Sequence, residues 1–288
     1  MFEGFDNRRI EVDGVTINCM VKGGGPPLLL LHGYPQTHVM WHEIAPALAE
    51  RFTVIAADLR GYGDSSKPAS DDKHLVYSKR STAADQAELM TALGFKTFMV
   101  AGHDRGARVT HRLCLDYPDR VTKAALLDII PTTEVFKRVD KFIATAYYHW
   151  FFLIQPHDLP ETLLGGNPEF YLRRMATRKG KLIFTEEAFA EYLRCFRDPA
   201  CIHATCEDYR AGASIDLDHH AADGGRKIAC PVLLLWGEKG LVGYKQDPIA
   251  IWREYASDVR GHSLPNGHFL PEESPRETLA SLLEFFGA

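Results

Sequence analysis

The chain of 288 residues is long enough to bury a large core, as one α/β domain with an insertion or as two modest domains. Its 45% hydrophobic and 25% charged residues are ordinary for a soluble globular protein, and a net charge of −5 argues against nucleic acid or an anionic membrane as the main partner. The longest apolar run, around PPLLLLHG, is far too short to span a bilayer.

The opening MFEGFDNRRIEVDG lacks the apolar stretch of a signal peptide, so a cytoplasmic location is expected. RRIEVDGVTINCMVKG alternates apolar and polar residues around Asp13-Gly14, the pattern of a β-hairpin. PPLLLLHGYP and FTVIAADLRGYG are apolar runs ending in glycine-rich turns, as buried parallel strands do. STAADQAELMTALGF reads as a helix with a serine near its start and Gly94 at its end. KTFMVAGHD (strand), RGARVTHRLCLDYP (helix, stopped at Pro118) and VTKAALLDII (strand) follow. From about Pro131 to Ala213 the alternation breaks into aromatic and helix-forming stretches, FIATAYYHWFFLIQP and EEAFAEYLRCFRDP. Within that interval Cys201 and Cys206 are the closest pair of six cysteines, and no second pair stands ready to complete a zinc site, so reduced thiols and no metal are expected. CPVLLLWGEKG and VRGHSLPNGH give two more strands, and SPRETLASLLEFF a closing helix.

Alternating strands and helices imply a mostly parallel sheet covered on both faces, with catalytic groups at the carboxyl ends of the strands. The expected division is a core over residues 1–133, an inserted helical cap over 134–213 sitting above the active site, and the rest of the core over 214–288.

Three chemically capable residues fall at predicted strand ends: Asp104 after FMVAGH, Asp128 after AALL and His268 after HSLPNG. Each alone could be a turn residue, a strand-end acid or an unremarkable histidine. Together, in the order nucleophile, acid, histidine, they have the order of the α/β-hydrolase fold. In that architecture the HGYP turn supplies one oxyanion-hole amide, the N–H of Tyr34, beside the N–H of Arg105.

A carboxylate nucleophile narrows the chemistry. Serine attacking a saturated carbon would form an ether that water cannot reopen. Aspartate forms an ester of its own side chain, whose carbonyl water can attack. Asp104 needs no deprotonation at neutral pH, so His268 activates water while Asp128 orients its ring. Alkyl halides and epoxides both fit. Arg105 and Arg108, three apart at the start of a helix, share one face near its N-terminus and favour an anion there. A carboxylate substrate approaching Asp104 to about 4 Å is repelled by about 4 kcal/mol at an effective dielectric near 20, and guanidinium groups would offset this. The bland alternative is an ordinary ion pair for either arginine. A departing halide needs donors on the far side of the carbon, and His149, Trp150 and Tyr209 in the cap offer imidazole, indole and phenol groups. Taken alone, such an aromatic segment is more often core packing than a halide site.

HGYPQT, DLRGYGDS, AGHDRGARVTHRL, LLDIIPT, YYHWFF, YRAGAS and NGHFLPEE resemble fluoroacetate dehalogenases, a branch of the α/β-hydrolase superfamily, over nearly the whole chain. The resemblance implies Asp104 as nucleophile, Asp128 as triad acid and His268 as base. It implies Arg105 and Arg108 as carboxylate ligands, and His149, Trp150 and Tyr209 as halide donors. It also implies a small haloacid substrate, no cofactor and a homodimer. Haloalkane dehalogenases usually carry Trp after the nucleophile and often Asn after HG, where this chain has Arg105 and Tyr34. Epoxide hydrolases usually carry that Trp and two cap tyrosines. Tyr209 could be one, but His149-Trp150 stands in the other's region. A non-catalytic receptor for a small acid would have no need of Asp104, Asp128 and His268 together.

Overall fold

A computed structural model describes residues 1–287. Its main sheet contains β1 (Asp6–Val12), β2 (Val15–Lys22), β3 (Pro27–Leu31), β4 (Thr53–Ala57), β5 (Phe98–His103), β6 (Val121–Leu127), β7 (Val232–Gly237) and β8 (Val259–Leu264). Their spatial order is β1-β2-β4-β3-β5-β6-β7-β8. The first two strands form the expected hairpin, turning through Asp13 (φ 46°) and Gly14 (φ 77°) with Val12 opposite Val15. β2 runs antiparallel to β4, and every later pairing is parallel. Leu28 to Leu31 are buried on both faces, which explains why β3 is an unbroken leucine run and not an alternation.

Helix α1 (Lys79–Ala92) begins earlier than the sequence suggests. Ser78 is its N-cap, with the hydroxyl accepting from the Ser81 N–H at 3.1 Å, so Lys79 joins the first turn. It closes as expected through Gly94 (φ 88°), with the Phe95 N–H donating to the Met90 carbonyl at 2.8 Å. Helix α2 (Arg105–Asp116) follows β5 and stops before Pro118.

Between β6 and β7 the chain forms the inserted cap. It contains α3 (Tyr148–Leu153), α4 (Pro168–Met175) and α5 (Pro199–Gly212), among other helices, and a two-residue hairpin. α5 starts where Asp198 accepts from the Ala200 N–H at 2.9 Å and Pro199 occupies the first turn. The helical segment continues past Ala213 through a further helix, Ile215–Ala222. The closing helix is Pro275–Gly287. All six cysteines are free thiols. Among the described residues no helix is long and apolar enough to cross a membrane.

Candidate active site

Every residue of β5 is buried, and the chain must reverse at its end to lay α2 back over the sheet. Asp104 makes that reversal at φ 46°, ψ −112°, a conformation L-residues rarely adopt. The glycines on either side permit the packing. A Cβ on Gly102 would meet the Gly106 carbonyl and Thr110 Oγ1 at 2.4 Å, and one on Gly106 would meet the His32 carbonyl at 2.4 Å. The HGYP turn approaches as closely, since a Cβ on Gly33 would lie 2.6 Å from the Asp104 Cβ. This brings the Tyr34 N–H to 3.0 Å from Asp104 Oδ1, to which it donates. His32 locks the turn by donating from Nδ1 to the Gly33 carbonyl at 2.9 Å and accepting at Nε2 from the Leu59 N–H at 3.0 Å.

Asp128 sits one residue beyond β6, also at positive φ (54°). Its Oδ1 accepts from the Gly237 N–H at 2.8 Å, and its Oδ2 accepts from His268 Nδ1 at 2.5 Å. With Nδ1 donating, Nε2 of neutral His268 carries the lone pair a base needs. The loop carrying His268 is pinned on three sides. His103 Nε2 donates to the His268 carbonyl at 2.8 Å, and the Glu273 carboxylate accepts from the Gly267 and Phe269 N–H groups at 3.1 and 2.9 Å.

Asp104, Asp128 and His268 line a cavity of about 380 Å³ between core and cap. Tyr34, Arg108, His149, Trp150 and Tyr209 line it too, so eight of the nine residues singled out in the sequence converge there. The cap rings form a tight set. The Tyr209 ring lies 5.4 Å from Tyr34, 5.9 Å from His149 and 6.0 Å from Trp150. Arg108 lies over the Trp150 ring at 4.6 Å and donates from Nη1 to the Ile130 carbonyl at 3.0 Å and Thr132 Oγ1 at 2.9 Å. Its buried Nε has no protein partner.

Arg105 differs. It is 1% exposed and stands outside the cavity lining. Its Nε donates to Asp208 Oδ2 at 2.6 Å and its Nη2 to the Asp208 carbonyl at 2.7 Å, with the guanidinium 4.2 Å from the Tyr209 ring centre. The two arginines start on one helical face but diverge to different aromatic partners.

The family of the α/β-hydrolase fold matches residues 26–275. The chain belongs to the α/β-hydrolase family. A fluoroacetate dehalogenase from Burkholderia sp is 47% identical to it over 99% of this chain and 95% of the relative. A soluble epoxide hydrolase from Corynebacterium sp. (strain C12) is 36% identical over 96% of this chain and 95% of that one. A crystal structure of a protein from Nostoc sp PCC 7120 superimposes with a TM-score of 0.97 at 59% identity, covering 99% of each chain. The resemblance read from the motifs is therefore matched by whole-chain similarity.

The electrostatics of this α/β-hydrolase suit a carboxylate nucleophile. Burial alone would push the Asp104 carboxyl up, but His268, His103, Arg108 and Arg105 together bring it down to about 2. Burial works against a charged His268, yet the hydrogen bond and charge of Asp128, with the charge of Asp104, raise its pKa from the ordinary imidazole value. Burial lowers His149 to about 4 and His103 to about 3, so both are neutral at pH 7. It lowers Arg108 to about 10, which leaves the guanidinium charged. It raises Tyr209 well above its usual range, so the phenol keeps its proton.

Several contributors were not singled out in the sequence. His103 is the residue before Asp104, but nothing local says its ring faces the His268 loop. Tyr147, Arg174, Arg178 and Lys239 line the cavity from scattered positions. Asp208 adjoins Tyr209, and a buried acid inside a helix signals a distant cation without naming it. On the cap, His157, Glu161 and His203 come close enough to share a metal ion. Arg210 already binds both Glu161 oxygens, at 2.7 and 3.1 Å, and supplies the positive charge a metal would bring.

Proposed function

We propose that this chain hydrolyses fluoroacetate, and haloacetates generally, to glycolate and halide through an ester of Asp104. The observation that carries the reading is a carboxylate nucleophile facing the same cavity as a charged guanidinium, Arg108. A carboxylate substrate gains a counter-charge there against Asp104, which an uncharged substrate does not need. Similarity to a fluoroacetate dehalogenase over nearly the full chain supports it.

In the proposed reaction Arg108 holds the substrate carboxylate and aims its α-carbon at Asp104. Arg105, paired with Asp208, lays its guanidinium against the Tyr209 ring. An Asp104 oxygen attacks the α-carbon, forming the C–O bond as the C–halogen bond breaks, and the halide leaves with the electron pair. His149, Trp150 and Tyr209 donate to it; none of the three side chains is hydrogen-bonded to another group among the described residues. His268 Nε2 then takes a proton from water, and hydroxide attacks Cγ of Asp104. The oxyanion forms where Tyr34 N–H already donates, beside the N–H of Arg105. Collapse expels glycolate alkoxide, which takes the proton back from His268, and the Asp104 carboxyl loses the second water proton to solvent, which restores the carboxylate.

One turnover in heavy-oxygen water tests the route. Label is expected in Asp104 before it appears in glycolate; label entering glycolate first would mean direct attack by water. Halide release from fluoro-, chloro- and bromoacetate, run beside one epoxide, tests the substrate class. Turnover of the epoxide alone would reject it in favour of epoxide hydrolysis.

We also propose a cytoplasmic homodimer. The supporting feature is apolar surface on the cap, where Leu159, Leu163 and Phe170 are 50%, 59% and 67% exposed. Sedimentation as a monomer at micromolar concentration would reject the dimer.

A further inference from the structure

We propose that Asp208 is a positioning residue that places the Tyr209 phenol at the leaving halide, and so sets how well the site discriminates fluoride from heavier halides. This deepens the haloacetate reading and rests on it. Asp208 lies on α5 in the cap and is 5% exposed, yet its polar partners come from three separate parts of the core. Tyr62, in the loop after β4, donates its hydroxyl to Oδ2 at 2.9 Å. Arg105, at the start of α2, donates to the same oxygen at 2.6 Å. Lys79, at the start of α1, donates to Oδ1.

The contact that matters for Tyr209 is the fourth. Arg105 Nη2 donates at 2.7 Å to the Asp208 carbonyl, which belongs to the peptide unit joining Asp208 to Tyr209. One guanidinium therefore grips both the side chain of residue 208 and the peptide that leads into residue 209. The same guanidinium covers the Tyr209 ring at 4.2 Å. Tyr209 is thus located by its backbone and its ring face from the residue that follows the nucleophile.

The charges close locally. Lys79 also reaches Asp216 Oδ2 at 3.5 Å, so two cations, Arg105 and Lys79, face two carboxylates, Asp208 and Asp216. Arg105 and Lys79 hold Asp208 ionised against the effect of burial. This ion cluster lies behind the cavity, and Tyr209 carries its geometry forward to the leaving group.

A residue that merely docks the cap would, when changed, weaken turnover of every haloacetate alike. A residue that positions a halide donor acts mainly where the leaving group depends on that donor, and fluoride is the poorest leaving group and strongest acceptor. Asp208→Asn is expected to lower kcat on fluoroacetate about tenfold or more beyond its effect on bromoacetate, as misplacement of a catalytic group does. In a Tyr209→Phe background the same change should leave that ratio unaltered. Equal losses on both substrates, or a ratio that still shifts without the phenol, would overturn the proposal.

A crystal structure of Asp208→Asn provides a readout that does not depend on the substrate. Displacement of the Tyr209 hydroxyl is expected, and an unmoved hydroxyl overturns the proposal even if the protein turns over no haloacetate. If Asp208→Asn does not fold, Tyr62→Phe removes one donor and keeps the charge. It should move the ratio and the hydroxyl the same way by less, and no movement in either would again reject the assignment. Absence of halide release by the wild-type enzyme would instead refute the substrate class.

Discussion

On the core side of the cavity, Asp104, Asp128 and His268 sit at strand ends and are held by hydrogen bonds to or from the backbone: Tyr34 N–H on Asp104, Gly237 N–H on Asp128, and the pinned loop around His268. On the cap side, His149, Trp150 and Tyr209 are held by other rings and, for Tyr209, by one buried ion cluster. On the core side the backbone half of each contact is fixed by the sheet and its loops, with the other half supplied by Asp104, Asp128, His103 and Glu273. Ring and ion contacts depend on each side chain in turn. On the proposed reading the core wall, which includes Arg108 on α2, supplies bond-making, ester hydrolysis and recognition of substrate charge, while the cap wall decides which leaving group is accepted.

Changes to the core wall should abolish turnover whatever the halide. Asp104→Asn keeps the shape and tolerates the positive φ, but removes the nucleophile. Halide release is expected to fall by about 10⁴-fold or more on every haloacetate, measured with ion-selective electrodes. A loss confined to fluoroacetate would place selectivity in the core and break the division. His268→Ala should leave alkylation intact and stop its reversal by water, so intact-protein mass spectrometry should find one equivalent of ester on Asp104. Substrate bound without adduct would contradict the assignment of water activation to His268.

The two steps should also separate by pH. Asp104, at about 2, is ionised throughout the neutral range, and His149, at about 4, is neutral there. Single-turnover alkylation is therefore expected to show no limb from either group between pH 5 and 8. Ester hydrolysis needs neutral His268, so its rate should fall about tenfold per pH unit below the imidazole pKa. In the free enzyme that pKa is raised partly by the negative charge of Asp104, which the ester erases. The limb for ester hydrolysis should consequently lie at lower pH than the His268 titration in the free protein, followed by NMR. Coincident values would mean that Asp104 does not act on His268.

Much of the core wall was legible in the sequence because its requirements are local. The glycines flanking Asp104 are dictated by contacts of 2.4 Å, and strand-end placement follows from the apolar runs themselves. The cap wall was legible in its donors and not in what holds them. The sequence shows Arg105 beside Asp104 and Arg108; its hydrogen-bond partner in the structure, Asp208, is 103 residues away and enters through the inserted helices. The start of α1 is ambiguous in the sequence for a similar reason. Ser78 and Ser81 are both plausible caps, and the choice of Ser78 brings Lys79 into the helix, where it meets Asp208.

Changes to the cap wall should alter selectivity more than rate. Trp150→Phe keeps most of the ring under Arg108 and removes the indole N–H. The loss on fluoroacetate is expected to exceed that on chloroacetate by about tenfold, since one well-aimed donor to developing charge is worth that or more. Equal losses on both would reduce Trp150 to a platform for the arginine.

The smallest effect concerns charge at a distance. Arg174, Arg178 and Lys239 are exposed residues of the cavity lining, and the acids of that lining are Asp104 and Asp128, the second already paired with His268. The chain as a whole is negative, at −5, so a small anion is repelled by the molecule in general and attracted at this opening. Such attraction raises the local concentration of substrate without touching the transition state, which separates KM from kcat. Added salt screens exposed charges beyond about 8 Å at physiological ionic strength. KM for chloroacetate is therefore expected to rise a few-fold, roughly threefold, between low and high salt, with kcat unchanged. Replacing all three side chains by Gln should give the high-salt KM at low salt and flatten the dependence. If the triple variant keeps the wild-type salt response, the attraction arises from Arg108 alone, inside the cavity where salt screens least, and substrate charge is read at a single point.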